Sequence, residues 1–525
     1  MLTTADSVLA SHDYRSAWLL ANQALSLNPE NPAALKIMVG LYSNLENPAA
    51  IGWQERVSRA LPDQANEQLK LARLALKFEE TGLASNTLAS IPAGQQNTVD
   101  FHLLKSSLAI AKGQPQPAFD EAKNALALEP DNAVLQMNLA TLELNASDPK
   151  VAETARLTLQ KLSEFPVCRA DALRSLFADA QHRKQPAEAR KWAEQLSLMR
   201  GATLQDQFRF FEILRTENPQ TFPKAFSLLK QKAAESSNTV FDVMCWMNKQ
   251  GMALETLSWA GELPKKVCDQ MPVAMAIAEA LATTQSWEEL RRLVFQGNWG
   301  SMEFLRRAYR AHATTNGVAS PQNAGFTHEW DRAVYETKSE FRQVTALAKT
   351  VASWGWKDQS AELWWILASQ SSGQRGALRQ LNKIYSDTKD TGGMLRVATR
   401  ILEIEPKDPI AKNNVAMLLL LTQQDLPKAR RMALENFTVF SAEPACITTQ
   451  AFSLFQQGDI SNARALLRKL PATALQQPSC AAYYGIILAA AGEKDEAKRY
   501  LELADQSGTL LPGEAKLVTD ALISP

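Results

Sequence analysis

One apolar position, usually alanine, recurs along this 525-residue chain at a fixed interval of 34 positions (497 − 463 = 34). One series occupies the C-terminal part: Ala361, Leu395, Ala429, Ala463 and Ala497. A second series occupies the N-terminal part: Ala50, Ala84, Ala118 and Ala152. A constant period of this length is typical of repeat architectures, in which each unit packs mainly on its neighbours. The period therefore restricts the chain to an array of similar units.

Residues 481–504 indicate what one unit contains. Apolar residues recur at helical spacing on both sides of a tight turn at Gly492–Asp495. Small residues, Gly485 and Ala497, stand where two helices must approach closely, and larger ones fill the space beside them: Tyr484, Leu488 and Leu501. This pattern resembles the tetratricopeptide repeat (TPR), a helix–turn–helix unit of about 34 residues. The resemblance implies an all-α fold, an α-α superhelix or right-handed solenoid of about fourteen or fifteen TPR-like hairpins.

Prolines mark the ends of the second helices in the same phase. A proline follows the small residue after 12 positions (29 − 17 = 12) in three units: Ala17/Pro29, Ala50/Pro62 and Ala118/Pro130. Proline cannot continue a helix, so each one sets a boundary before the next hairpin. Asn31 and Asn132 follow two of these boundaries and are suited to cap the next helix.

The regularity of the pattern divides the chain into three parts. We predict an N-terminal TPR-like array over residues 1–234, and a C-terminal array over 346–525 that ends in a capping helix at Glu514–Ile523. Between them, residues 235–345 keep helical periodicity but lose the fixed period. Helices are predicted there at 240–247, 252–260, 272–282 and 287–295. A loop is predicted at 316–325, between helices at 302–314 and 326–338.

The charge balance disfavours two classes of partner. Lys plus Arg and Asp plus Glu both number 56, so the formal net charge is zero. A nucleic-acid binder and a polybasic membrane-binding protein would each carry an excess of basic residues. No stretch of about 18 uninterrupted apolar residues is present, so no membrane-spanning helix is predicted.

The start of the chain leaves two interpretations open. If Ala17 lies on a second helix, the first helix begins at or before Met1. Either an N-terminal anchor or signal segment has been removed, or the chain begins naturally with a short helix. Degenerate, irregularly spaced repeats with the first unit at Met1 resemble bacterial multi-repeat TPR proteins of the cell envelope. That resemblance implies a bacterial protein, located at the envelope or in the periplasm if an anchor was removed, and otherwise in the cytoplasm.

Motifs of catalysis and cofactor binding are missing from the sequence. No HExxH, GxSxG, phosphate-binding glycine loop or dinucleotide fingerprint occurs. The five histidines are not spaced as metal ligands on one helix face, and no two cysteines form a CxxC. We therefore predict no enzyme activity, no cofactor and no metal.

Tryptophans concentrate in the irregular middle. Nine of the twelve lie between Trp246 and Trp365. They either fill the wider gaps that irregular repeats leave in the core, or form an aromatic surface for a peptide or a sugar.

Two asparagines on predicted first helices are the candidate ligand-binding residues. Asn138-Leu139-Ala140 and Asn414-Val415-Ala416 resemble the Asn-x-small pattern of TPR proteins that hold a peptide terminus in the groove. The resemblance implies that Asn138 and Asn414 face the concave surface, where an amide can bond a peptide backbone. The alternative is a solvent-facing asparagine without a ligand.

The sequence therefore predicts a non-catalytic scaffold that binds a peptide or partner protein on its concave face. The alternative is an accessory or regulatory subunit of a bacterial envelope complex, for polysaccharide or secretion, with glycan contact in the Trp-rich middle.

Cys446 and Cys480 are 34 residues apart and occupy the same position in adjacent repeats. Neighbouring helices lie about 8–10 Å apart, whereas a disulfide requires Cα atoms within about 7 Å. We expect both thiols to be free, even in an oxidising compartment. Thiol titration under denaturing, non-reducing conditions checks this, and two thiols that appear only after reduction would contradict it.

Overall fold

The computed structural model describes residues 2–370 and 373–523. Across these ranges it contains α-helices, two short 3-10 helices at Ala93–Gln95 and Gly300–Met302, and no β-strand. The predicted all-α fold class, a solenoid of TPR-like hairpins, is confirmed. The described residues contain no helix long and apolar enough to span a membrane.

The chain divides into two compact units, with the boundary between Trp356 and Lys357. Unit 1 also includes Gly373, and unit 2 includes most of the chain after Lys357. The predicted three-part division into 1–234, 235–345 and 346–525 remains a prediction.

The helices of unit 1 pack as consecutive antiparallel pairs. The first ten are α1 (Leu2–Ala10), α2 (Tyr14–Leu27), α3 (Pro32–Asn44), α4 (Ala49–Ala60), α5 (Ala65–Lys77), α6 (Thr81–Ser90), α7 (Val99–Ala111), α8 (Pro115–Leu128), α9 (Ala133–Glu143) and α10 (Pro149–Leu162). The next six are α11 (Arg169–His182), α12 (Pro186–Ser197), α13 (Leu204–Glu217), α14 (Phe222–Ala233), α15 (Ser237–Lys249) and α16 (Ala253–Glu262). The last six are α17 (Lys265–Cys268), α18 (Val273–Thr283), α19 (Trp287–Gln296), α20 (Glu303–Thr314), α21 (Ala324–Glu336) and α22 (Phe341–Ser353).

Unit 2 repeats the arrangement. Its helices are α23 (Lys357–Ala368), α24 (Gln374–Asp387), α25 (Thr391–Ile404), α26 (Pro409–Thr422), α27 (Leu426–Val439), α28 (Pro444–Gln456), α29 (Ile460–Leu467), α30 (Ala472–Leu475), α31 (Pro478–Ala490), α32 (Lys494–Gln506) and α33 (Pro512–Ile523). The predicted terminal helix is confirmed as α33, and its Leu517 and Ala521 pack against the core of the preceding hairpin.

Caps and prolines fix where the helices begin. Asn31 accepts hydrogen bonds from the backbone amides of Ala33 and Ala34, and Pro32 occupies the first turn of α3. Asp408 caps α26 in the same way, with Pro409 in its first turn. These side chains satisfy amides that have no partner inside the helix, and proline needs none there. The link sequences therefore start each new hairpin at a defined residue.

The recurring alanines lie on second helices at buried positions. Ala50, Ala84, Ala118 and Ala152 lie on α4, α6, α8 and α10 and are at most 5% exposed. Ala429, Ala463 and Ala497 lie on α27, α29 and α32 and are at most 1% exposed. The 34-residue register is therefore confirmed for these positions.

Gly485 shows why a small residue is needed where the two helices of a hairpin are in contact. A Cβ atom added at Gly485 on α31 would lie 2.7 Å from Cγ of Leu501 on α32. Real Cβ atoms do not approach other atoms so closely, so α31 and α32 can pack at this distance only without a side chain there.

The prediction for Leu395 is wrong in register. Leu395 is only half-buried on α25, whereas the neighbouring Gly393 is buried and its backbone lies directly against the Tyr385 ring. Ala429 is the fourth residue after the cap Asp425, and its equivalent on α25 is Met394, the fourth residue after the cap Asp390. These two positions are 35 residues apart (429 − 394 = 35), one more than the period of 34. Met394 therefore stands at the equivalent position, and Gly393 makes the close approach to the neighbouring helix.

The predicted helices of the middle part are confirmed. They correspond to α15, α16, α18 and α19, and the predicted loop separates α20 from α21. Six of the nine tryptophans between Trp246 and Trp365 are at most 6% exposed, and the other three are half-buried. For those six, the interpretation as core residues is confirmed.

His312 lies among three of these tryptophans. Its ring stacks on Trp354 at a centroid distance of 4.1 Å, and Trp287 and Trp356 lie 5.3 and 5.2 Å away. The imidazole is 5% exposed, and its Nδ1 makes no hydrogen bond among the described residues. Burial lowers the pKa of His312 from 6.5 to about 4, because the charged form loses its hydration there.

Replacement of Ala463 by leucine tests the helix contact. Ala463 is fully buried, so the extra methylene groups overpack the α28–α29 hairpin, and we expect the free energy of unfolding to fall by about 1–3 kcal/mol. Ala465→Leu on the same helix is the matched control, because Ala465 is exposed and its effect stays within about 0.5 kcal/mol. Chemical denaturation measures both, and equal effects would contradict the register.

His312 makes the free energy of unfolding depend on pH in the acid range. The unfolded chain binds the proton near pH 6.5, but the folded chain binds it only near pH 4. The free energy of unfolding therefore falls by about 1 kcal/mol per pH unit from pH 6.5 to 4, and His312 adds no slope above that window. His312→Phe removes this contribution. Chemical denaturation at several pH values measures the free energy of unfolding of both proteins. If it changes equally with pH in the two proteins between pH 6.5 and 4, the prediction is wrong.

Candidate functional site

The first helices of the hairpins carry both predicted site residues. Asn138 lies on α9 in unit 1 and is half-buried, and Asn414 lies on α26 in unit 2 and is exposed. Each is the sixth residue after the capping residue of its helix, Asn132 and Asp408. The two positions are therefore equivalent within their hairpins. Contact with a ligand remains a prediction for both.

In three other hairpins of unit 1 the position equivalent to Asn138 is basic. Lys70, Arg174 and Arg209 are also the sixth residues after their caps, on α5, α11 and α13. Lys70 pairs with the buried Glu67 at 3.1 Å, and Lys36 on α3 reaches the same carboxylate at 2.8 Å. This row of first-helix residues is thus held by ion pairs that connect successive hairpins.

Asp206 is the strongest of these connections. Arg174 on α11 donates to both of its oxygens, at 3.0 and 2.6 Å, and Arg209 donates at 2.7 Å. Burial raises the pKa of Asp206, but hydrogen bonds from Arg174 and Thr203 outweigh that effect and lower it to about 2. The carboxylate stays charged and fixes both guanidinium groups along the first-helix side.

A cavity of about 400 Å³ lies between α6, α7 and α8. Its charged groups are already matched, because His102 contacts Glu121 at 2.7 Å and Lys105 pairs with the same carboxylate. A cavity of about 540 Å³ near α31, α32 and α33 has mainly apolar walls.

A third cavity, of about 330 Å³, is lined by α15, α18, α20 and α22. We call it the Glu279 pocket. All four helices are first helices of their hairpins, as is α9, which carries Asn138. Phe241, Met275 and Tyr309 supply apolar wall, and Lys249 and Lys349 stand at its edge, where both are exposed.

The Glu279 carboxylate is held by two neutral donors. The Tyr309 hydroxyl donates to Oε2 at 2.6 Å, and the Trp354 indole nitrogen donates to the same oxygen at 3.3 Å. Tyr309 is 2% exposed, and burial followed by the charge of Glu279 raises its pKa well above 10. Its hydroxyl therefore remains a donor at neutral pH. Oε1 of Glu279 has no hydrogen-bond donor among the described residues.

Sequence reasoning missed the Glu279 pocket, although one signal was present. Glu279 is the only charged residue in α18, whose sequence is VAMAIAEALAT. A lone carboxylate in such an apolar helix needs a partner, because burying an unpaired charge is unfavourable. Its donors lie 30 and 75 residues away, so no local motif indicated them.

The cysteines of the described chain do not present activated nucleophiles. Cys245 lines the Glu279 pocket, and burial raises its thiol pKa to about 12. Cys446 and Cys480 are buried and free, at equivalent positions of α28 and α31, with thiol pKa values raised by burial. The thiolate is the nucleophilic form, so these residues are poor nucleophiles at neutral pH. No group of three metal-ligating side chains occurs within residues 2–370 and 373–523.

Three solved structures align with most of the chain at low similarity. Yeast Tom70 is 12% identical over 87% of this chain and 94% of its own, with a TM-score of 0.27. Naa15/Naa10 bound to HypK-THB is 15% identical over 94% and 78%, with a TM-score of 0.24. The APC/C hetero-tetramer Cut9-Hcn1 is 12% identical over 86% and 95%, with a TM-score of 0.28.

These scores are too low to carry an argument about function, and the TPR-like fold rests on the hairpins described above. No protein-family model matches the sequence, and no curated protein matches it either.

Proposed function

We propose that this protein is a non-catalytic scaffold that binds a peptide, or an extended segment of a partner protein, along its first helices. One observation carries the proposal. Asn138 and Asn414 occupy the same position of their hairpins, and neither side chain has a hydrogen-bond partner within the described chain. An amide side chain offers both donors and an acceptor, which matches a peptide backbone.

The basic residues at the same position support a peptide ligand. Lys70 is exposed, and the side chains of Arg174 and Arg209 are about one-third exposed although both contact Asp206. Such groups can donate to the carbonyl oxygens of an extended segment without leaving Asp206. The zero net charge of the whole chain favours a protein partner over a nucleic acid.

The alternative function is an accessory subunit of a bacterial envelope complex that contacts glycan through the Trp-rich middle. Glycan contact needs exposed indole faces, and only Trp287, Trp354 and Trp365 retain partial exposure in that set. We therefore place the scaffold first. The bacterial origin belongs to this proposal as well.

Asparagine substitutions test the proposal once a partner is recovered from cells by cross-linking and mass spectrometry. Asn138→Ala and Asn414→Ala should each weaken binding by about 1 kcal/mol, because each removes one hydrogen bond to the ligand. Titration calorimetry measures the affinity, and thermal melting should be unchanged because neither side chain belongs to the core.

Asn124→Ala is the matched control. Asn124 is exposed on α8, a second helix, so the same change there should leave the affinity intact. Unchanged affinity together with lower melting temperatures for the two first-helix variants would identify Asn138 and Asn414 as packing residues. Cross-links confined to second helices would overturn the proposed binding surface.

A further inference from the structure

We propose that the Glu279 pocket receives the side chain of an arginine or lysine that is flanked by acidic residues in the bound peptide. The inference rests on the proposed function, because it names the chemistry of one anchor residue in the segment that lies on the first helices.

The carboxylate of Glu279 lacks a cation. Both of its hydrogen bonds come from the neutral groups of Tyr309 and Trp354, and both end on Oε2. No ion pair within 4.0 Å involves Glu279 in the described chain, in contrast to Glu67, Asp206 and Glu329. A cationic donor that reached Oε1 would form a charge-assisted hydrogen bond, which is about twice as strong as a neutral one.

The walls of the pocket fit the stem of a basic side chain. Phe241, Met275 and the Tyr309 ring line the same pocket as the carboxylate and supply its apolar surface. Lysine and arginine bury their methylene groups along such surfaces and extend the charged end beyond them. Aromatic faces also attract cations. A volume of about 330 Å³ lies at the small end of ligand sites, which suits one side chain better than a large ligand.

Asn248, which also lines the pocket, adds an acceptor. The Asn248 amide nitrogen donates to the carbonyl oxygen of Ala276 at 2.8 Å, which fixes the orientation of the amide. Its Oδ1 is buried and has no donor among the described residues. The hydroxyl of Tyr309 and the indole of Trp354 already donate to Glu279, so Oε1 of Glu279 and Oδ1 of Asn248 are the acceptors left for donors on the ligand.

Lys249 and Lys349 decide which basic residues are accepted. Both are exposed at the edge of the pocket, and neither forms an ion pair in the described chain. They would repel an isolated cation on its way to Glu279. Acidic residues on either side of the anchor remove that repulsion by pairing with the two lysines. The arrangement therefore selects a basic residue between acidic ones and disfavours a polybasic segment.

The test uses the full-length protein and fluorescein-labelled heptapeptides with the sequence Ser-Gly-Glu-X-Glu-Gly-Ser, read by fluorescence anisotropy. X is arginine, lysine or glutamine. The peptides with arginine and lysine should bind at least about tenfold more tightly than the glutamine peptide, which is about the effect of one charge-assisted hydrogen bond. Replacing both flanking glutamates with lysine should abolish binding.

Glu279→Gln should reduce the affinity for the arginine peptide by about tenfold, because it removes the charge but retains an acceptor for Tyr309 and Trp354. Glu255→Gln is the matched control, since Glu255 is an exposed carboxylate on the second helix α16. Ser353→Arg is a second variant at an exposed pocket residue, where a tethered guanidinium competes with the ligand. Its control, Ser353→Gln, adds similar bulk without charge and should bind the arginine peptide better than Ser353→Arg does.

Equal affinity for the arginine and glutamine peptides would overturn the inference, and so would unchanged affinity in Glu279→Gln at an unchanged melting temperature. If Glu279→Gln lowers the melting temperature, Ser353→Arg decides, because undiminished binding there overturns the inference. These outcomes leave the scaffold proposal intact as long as the recovered partner still cross-links to first helices. Conversely, selective binding of the arginine peptide without such cross-links supports the pocket and overturns the scaffold proposal.

Discussion

The fold depends on the close approach of two helices at a residue with little or no side chain. Gly485 on α31 against Leu501 on α32 is one example in unit 2, and the buried alanines on the second helices of other hairpins are others. Dispersion between the two backbones and their neighbours is gained only at that distance. Once the small residue fixes the hairpin, the larger apolar residues on its outer faces can pack on the next hairpin, and the array can grow.

In the middle part of the chain, large aromatic residues replace the small ones, and polar groups are buried among them. Around His312 and Tyr309, tryptophans take the space between hairpins, and polar atoms of both side chains lie among rings. The Tyr309 hydroxyl donates to Glu279, whereas Nδ1 of His312 has no hydrogen-bond partner in the described part of the chain, and burial keeps the ring neutral at pH 7. The irregular part of the chain is therefore the part in which side-chain chemistry is most constrained.

The sequence was sufficient for the repeats because the period, the caps and the prolines are local signals. It predicted the buried alanines of both arrays and the helices and loop of the middle part. It failed at Leu395, because the equivalent position after the helix cap is Met394, and the close contact is made by Gly393, two residues before Leu395. It did not locate the Glu279 pocket, because the hydrogen bonds of Glu279 join residues far apart in the chain, and only the packing of α18, α20 and α22 brings them together. Whether Asn138 and Asn414 meet a ligand depends on a partner, which lies outside the information in one chain.

The hydrogen bond between Trp354 and Glu279 gives the protein an intrinsic optical probe. The emission of an indole responds to the charge near its ring nitrogen, and here that nitrogen donates directly to the carboxylate at 3.3 Å. The same ring stacks on His312, whose protonation would alter its emission in acid. The state of this part of the molecule can therefore be followed in the unlabelled protein, with Trp354→Phe as the reference that identifies the signal.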